Sequence, residues 1–259
     1  MVMIAERYTL AQLADASWLE SVKPLPHELE ALRGCPQPPE HHPEGDALNH
    51  TILCVKAMDR FEGSFGLRGN KAPLWLRLAV VCHDLGKASN TVLVDNAWHA
   101  YGHEESSVPL ALLMLKRGIS SLSEDDYQAI SALIGDHMTP YHLIHGNAPL
   151  AAYIRLERRL NLSKVTMEHL ELMFSCDLSG RGLPIEDKRI GIFRNKMQEI
   201  ALYHLEELPA PAVQGRHLIA RGFKPGPSFK DILAECHRVQ IDLEIDNPEE
   251  ILRLVLTTS

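Results

Sequence analysis

The segment DALNHTILCVKAMDRF, residues 46–61, decides the fold. Its apolar residues Leu48, Ile52, Val55 and Met58 recur at intervals of three and four, with Asn49 and Lys56 between them. That is the period of an amphipathic helix and not the strict alternation of a half-buried strand. Asp46 and His50 stand four apart on this predicted helix, so both side chains project from one face, one turn apart. A single helix therefore offers two cation-binding groups.

The same period extends in both directions. Upstream, short helices are predicted at about Leu10–Leu19 and Pro26–Leu32, before a proline-rich stretch from Cys35 to Pro43 that must be extended or turning. Downstream, a loop with Gly63, Gly66 and Gly69 leads to a helix from Pro73 to about Leu85, with Pro73 suited to its first turn and Gly86 ending it. Residues 92–101 read as a loop. Further helices are predicted at about Glu104–Lys116, Glu124–Met138, Pro149–Leu160, Thr166–Asp177 and Ile185–Leu208. The run Ser123-Glu-Asp-Asp126 supplies the acidic first turn of a capped start. Two prolines in Leu208-Pro-Ala-Pro-Ala-Val213 mark a linker, and a helical appendage follows, with a sharp turn at Gly222, Pro225, Gly226 and Pro227. The chain thus reads as all-α: an N-terminal helical segment over residues 1–40, a helical bundle over 41–208 and a C-terminal helical segment over 209–259.

Composition bounds the function. Of 259 residues, 45% are hydrophobic and 23% charged, enough apolar material for a full core without disulfides. The net charge of −8 argues against coating a nucleic acid or an anionic membrane by bulk attraction. Five scattered cysteines without a Cys-x-x-Cys pair fit reduced thiols and exclude a cysteine-rich zinc site. The strongest apolar stretch, Leu74 to Cys82, is interrupted by Arg77 and is far shorter than the roughly 20 residues of a membrane span. These features predict a cytoplasmic protein without membrane attachment.

Fourteen histidines stand out, several beside aspartate. His83-Asp84 closes one predicted helix, and consecutive residues at a helix end can turn toward one ion. His103, His137 and Asp177 fall near the ends or starts of later helices. Taken singly, a histidine is more often a surface or satisfied core residue than a ligand. That ordinary reading applies to His27, His41, His42, His99, His142, His145, His169, His204, His217 and His237. The set spread over several helices is what points to a metal, because bundles build such sites from inward ligands on different elements. Imidazole with carboxylate suits Mn, Fe, Ni, Co or Zn, with Mg an option where carboxylate and water dominate.

Asp46-x-x-x-His50, His83-Asp84-x-x-Lys87 and Asp177 together resemble the ordered His, His-Asp, Asp signature of the HD-domain superfamily of metal-dependent phosphohydrolases. The segments His42–Thr51, Cys82–Lys87, Gly102–Glu105, Asp136–Met138 and Asp177–Arg181 are similar to the HD domain of bacterial CCA-adding tRNA nucleotidyltransferases. The tail His217-Leu-Ile-Ala-Arg-Gly-Phe-Lys-Pro-Gly-Pro227 resembles the tail of those enzymes. Their Gly-Gly-x-x-x-Arg-Asp loop and Asp-x-Asp metal pair are not found here, so the resemblance implies hydrolysis and not nucleotide transfer.

The resemblance implies that His50, His83, Asp84 and Asp177 hold one metal and that Asp84 bridges to a second held by His103 and His137. Asp46 matches the carboxylate that HD-GYP phosphodiesterases place one turn before the first ligand histidine, although the Gly-Tyr-Pro motif is absent. Asp84 and Lys87 are the expected catalytic pair, with Lys87 contacting a phosphate oxygen; a helix-terminal lysine favoured by the dipole is its ordinary alternative. Arg181 is expected to brace Asp177. Cys82 and Cys176 are expected to point into the core. Trp98 and Tyr101 either stack on a base or anchor their own loop.

The implied activity is phosphomonoester or phosphodiester hydrolysis, including 2′,3′-cyclic substrates, on nucleotides or RNA ends, with hydroxide generated at one or two divalent ions. The rival expectation is a catalytically silent HD scaffold that binds RNA or a protein partner. It draws on residues 155–196, where nine Lys and Arg face six Asp and Glu.

Overall fold

The computed structural model describes residues 8–61, 72–118, 122–182, 187–203, 210–243 and 245–257. In chain order the helices and strands are α1 (Leu10–Leu13), α2 (Ala16–Ser21), α3 (His27–Glu30), α4 (Ala47–Phe61), α5 (Leu74–Cys82), α6 (Lys87–Asn90), β1 (Thr91–Val94), β2 (Ala97–Ala100), α7 (His103–Arg117), α8 (Glu124–Asp136), α9 (Thr139–His145), α10 (Leu150–Asn161), α11 (Met167–Gly180), α12 (Lys188–Tyr203), α13 (Gly215–Ala220), α14 (Pro227–Leu243) and α15 (Pro248–Thr257). The fold is mostly α-helical, as the periodicity predicts. Among the described residues, no helix is long and apolar enough to cross a membrane. The glycine loop at 63–69 and the start of the predicted linker at Leu208 lie outside the described residues.

The chain forms two compact units, residues 1–146 with 157–194, and residues 147–156 with 195–259. In the first, α11 is the central helix. Every residue from Leu170 to Gly180 is buried, so this helix is covered on all sides. It packs most extensively on α4, which buries Leu48, Ile52, Val55, Met58 and Phe61, the stripe read from the sequence. Full burial of side chains of this size contributes about 1.5–3 kcal/mol each. Helix α5 packs on both α4 and α8, and α7 packs on α8.

Helix starts follow the capping chemistry. Ser123 Oγ accepts from Asp126 N (3.2 Å) while Ser123 N donates to the Asp126 carboxylate (2.8 Å), a reciprocal capping box at α8. Thr166 accepts from His169 N at the head of α11. The predicted 10–19 helix is two short ones, because Asp15 caps a new start and accepts from Trp18 N (3.0 Å).

Residues 91–100 are not a loop. They form an antiparallel hairpin in which Val92 pairs with His99 and Leu93 with Trp98. Asp95 and Asn96 both have positive φ, 49° and 60°, as a two-residue primed turn requires. Helix α5 ends at Cys82, so His83 to Gly86 form a turn before α6.

In the second unit, Val213, Leu218, Cys236, Ile251, Leu252 and Val255 form the core among α13, α14 and α15. Gln240 is buried within it and bonds Ala212 N, Ala210 O and the Asp246 carboxylate. Gly222, at φ 85°, and the prolines beyond it make the expected turn between α13 and α14.

Candidate metal centre

Four histidines reach one point of the first unit from four places. His50 sits on the buried face of α4, His83 in the turn after α5, His103 at the first residue of α7 and His137 at the C-cap of α8. Three are oriented by one device: the ring Nδ1 meets the carbonyl oxygen three residues back. His83 Nδ1 lies 2.8 Å from Val80 O, His103 Nδ1 2.7 Å from Ala100 O and His137 Nδ1 2.7 Å from Ile134 O. A carbonyl oxygen only accepts, so Nδ1 carries the hydrogen, and Nε2 of the neutral ring is left as a bare donor atom for a cation. His50 uses a carboxylate instead, with Nδ1 2.7 Å from Glu44 Oε1.

Asp84 lies between these rings. Its Oδ2 is 3.2 Å from His83 Nε2 and 3.7 Å from His50 Nε2, while Oδ1 is 3.2 Å from His103 Nε2 and 3.8 Å from His137 Nε2. Asp177, near the end of α11, places Oδ1 2.9 Å from His50 Nε2. All six residues are buried, His50 completely. The six expected ligands are therefore brought together, with Asp84 at the midpoint.

The arrangement is electrostatically incomplete as it stands. Charged groups lie within 4 Å, yet His83 Nε2 and both Asp84 oxygens have no aligned hydrogen-bond partner. His103 Nε2 and His137 Nε2 face each other at 3.2 Å. Bare acceptors pointed at one another in a dry site repel unless a cation stands between them. Protons partly fill that role: burial pushes His83 down, but the charges of Asp84 and Asp177 outweigh it and leave its pKa raised. His137 is pushed down to about 3 by burial and by the neighbouring His83 and His103. Burial would raise the Asp84 carboxyl, yet His83 and Lys87 hold it well below the usual range; Arg181 and His50 do the same for Asp177. Ionised carboxylates among imidazoles fit a divalent cation, and His83, Asp84 and His137 form one group whose donor atoms all lie within 4.8 Å of one another.

Glycine permits the approach. A Cβ on Gly86 would stand 2.3 Å from His103 O, and a Cβ on Gly180 2.5 Å from Cys54 Sγ and 3.1 Å from the His50 ring. Gly86 N also donates to Ser107 Oγ (2.8 Å), which donates to His103 O (2.7 Å), tying the His83-Asp84 turn to the head of α7.

Lys87 is buried, with Nζ 2.7 Å from Asp84 Oδ2 and 2.7 Å from Gln37 Oε1, at the wall of a cavity. Arg181 grips Asp177, with Nη2 2.6 Å from Oδ2. Asp46 does not join the cluster. Its Oδ1 accepts from Asn49 N (2.8 Å) at the head of α4 and its Oδ2 from Gly34 N (2.8 Å), so helix capping consumes the carboxylate. Cys82 and Cys176 are buried outside the metal-capable groups.

Three residues were not singled out as site residues from the sequence. Glu44 Oε1 joins His50 to His42 Nδ1 (2.8 Å), and His42, given an ordinary reading, is buried there with its pKa pushed down to about 4 by burial against the opposing Glu44. Cys54 Sγ lies 3.4 Å from His50 Nε2. The signal for Cys54 was the same four-residue spacing that drew attention to Asp46, taken on the other side of His50.

A cavity of about 500 Å³ opens beside the centre. Lys87, His103, Arg181 and Arg189 line it with Trp98, Tyr101, Tyr141 and His142. The basic excess of 155–196 is largely neutralised: Arg155, Arg159, Lys164, Arg181, Arg189, Arg194 and Lys196 each pair with a carboxylate.

A helical bundle that converges buried imidazoles and carboxylates on one point is the class of protein so defined. No family model matches the chain. Among curated proteins it is similar to the multifunctional CCA protein of Actinobacillus pleuropneumoniae serotype 5b, at 28% identity over 155 residues, 60% of this chain and 35% of that protein. Similarity to the multifunctional CCA protein of Pseudomonas fluorescens is 27% over 225 residues, 85% of this chain and 48% of that protein. For the Haemophilus influenzae protein of the same name it is 36% over 90 residues, 35% of this chain and 20% of that protein. The chain is thus related to the multifunctional CCA proteins and spans less than half the length of these relatives.

Proposed function

We propose that the chain is a metal-dependent phosphohydrolase that cleaves phosphoesters of nucleotides or RNA ends. The observation that carries this reading is Asp84, buried with neither oxygen in an aligned hydrogen bond and each oxygen directed at a different pair of histidines. His50, His83, Asp84 and Asp177 would hold one divalent cation, and Asp84, His103 and His137 a second. The imidazole-rich set favours Mn, Fe, Co, Ni or Zn, with Mg a weaker fit. When bound, such ions neutralise phosphoester charge and lower the pKa of water toward neutrality.

The chain's own residues supply the rest. Lys87, held between Asp84 and Gln37, fixes a positive charge at the cavity wall where a phosphate oxygen would come to rest. Arg181 keeps the Asp177 carboxylate ionised and oriented through its paired contacts. Trp98, Tyr101 and Tyr141 give the cavity aromatic surface suited to a base, and relationship to the CCA proteins supports a nucleotide or RNA end as substrate.

The test is the initial hydrolysis rate of wild type and Asp84→Ala on 2′,3′-cyclic AMP, 3′,5′-cyclic AMP, nucleoside monophosphates and bis-p-nitrophenyl phosphate, with Mn, Ni, Co, Mg or EDTA. Turnover is expected with metal, is expected to vanish with EDTA, and is expected to be lost in the variant. Equal turnover by Asp84→Ala would overturn the assignment.

A further inference from the structure

We infer that Cys54 is a further ligand of the metal held by His50, His83, Asp84 and Asp177, so that this ion sits in a mixed sulfur, nitrogen and oxygen donor set. The inference rests on the reading of the centre as a metal site and adds a thiolate to it. Cys54 is one turn beyond His50 on α4 and projects from the same face. One donor atom from each of His50, Cys54, His83 and Asp177 lies within 4.8 Å of every other.

The separations fit a shared ion. With metal–nitrogen and metal–oxygen bonds of about 2.0–2.1 Å and a metal–sulfur bond of about 2.3 Å, a sulfur and a nitrogen on one ion stand roughly 3.0–3.5 Å apart, from right-angle to tetrahedral geometry. Cys54 Sγ and His50 Nε2 are 3.4 Å apart. Nitrogen and oxygen donors on one ion stand roughly 2.9–3.4 Å apart by the same reckoning. His50 Nε2 and Asp177 Oδ1 are 2.9 Å apart. The second, independent sign is His83 Nε2, in a residue 2% exposed, with no hydrogen-bond partner although it belongs to the same four-atom group.

Coordination deprotonates the thiol: the S–H bond breaks, its electron pair forms the metal–sulfur bond, and the proton leaves to solvent. No redox change is involved. A thiolate makes the ion site softer, favouring Zn, Fe(II) or Co over Mg and Mn.

Cobalt(II) tests this without reference to turnover. The full chain is stripped with chelator and titrated with Co(II), and the visible ligand-field bands are followed together with the near-ultraviolet thiolate-to-cobalt charge-transfer band. Wild type is expected to show both; Cys54→Ala and Cys54→Ser are expected to keep the ligand-field bands and lose the charge-transfer band entirely. Ligand-field bands alone in wild type would overturn the thiolate and leave the metal centre standing, as would a charge-transfer band that persists in both variants. Absence of Co(II) binding would overturn the centre itself. Zinc-edge absorption on the wild type needs no variant to fold: a sulfur neighbour at about 2.3 Å is expected, and a shell of nitrogen and oxygen only would refute the proposal.

Discussion

Gly180 sets how closely α11 meets α4 at the point where His50 and Asp177 face each other. Adding one methyl group there would press on Cys54 Sγ at 2.5 Å and on two atoms of the His50 ring at 3.1 Å. The His50 ring has little room to yield, because Glu44 holds its Nδ1 and the residue is wholly buried. Overpacking of this kind costs about 1–3 kcal/mol. Gly180→Ala is therefore expected to lower the thermal midpoint and to weaken metal binding at the same time. Gly135, in α8, supplies the control, since a Cβ there meets nothing within 4 Å. Gly135→Ala is expected to be neutral or to stabilise by up to about 1 kcal/mol through helix propensity. Calorimetry of both variants, with metal titration, checks the pair; equal midpoints would show that the close approach does not constrain the centre.

Helices deliver the proposed ligands, and their ends do most of the positioning. His83, His103 and His137 stand at a helix end or start, where a carbonyl three residues back is available to the ring. Helix α8 carries His137 and starts from the Ser123–Asp126 capping box. Ser123→Ala is expected to cost about 1 kcal/mol in global stability, measured by urea unfolding, with metal affinity nearly unchanged because the cap lies at the opposite end of the helix from His137. A large loss of metal binding would mean that the whole of α8 shifts. The same elements show what could be read in advance. Helix α4, its apolar face and the acidic start of α8 were legible, because local period and capping chemistry specify them. Asp46 was misread because the i, i+4 spacing places it on the same face as His50 only if both residues are helical, whereas Asp46 stands just before the helix and caps it. The hairpin at 91–100 carries its signal in Asp95-Asn96, two residues tolerant of positive φ between short apolar runs. Cys54 was harder, since its place beside Asp177 and His83 depends on α11 and the turn after α5 arriving from distant parts of the chain, while Glu44 reaches its neighbours His42 and His50 from the non-helical residues before α4, where no period marks it.

The six proposed ligands all belong to residues 1–146 and 157–194, so a cation bound by them would be linked to the stability of that unit. A metal that binds the folded unit and not the unfolded chain stabilises it by mass action, by about 2.7 kcal/mol at a free concentration one hundred times the dissociation constant. For a protein of this size each kcal/mol moves the thermal midpoint by about 2–4 °C, which gives a rise of roughly 5–10 °C on loading. The effect should be at least partly specific to transition metals, since Mg lacks the preference for imidazole donors. Asp84→Ala also removes the buried counter-charge of Lys87, so the variant's own midpoint reports the cost of leaving that lysine and the imidazoles without a carboxylate. The decisive quantity is the difference between loaded and chelated protein. Scanning calorimetry of wild type with Mn, Ni, Co, Zn, Mg or EDTA is expected to show the rise with transition metals and its loss with EDTA, and Asp84→Ala is expected to show little difference between the two states. If the two compact units unfold separately, only the transition of the unit bearing the histidines should move. A rise of equal size in the variant would place the bound cation elsewhere and leave the buried cluster a proton-bridged polar core.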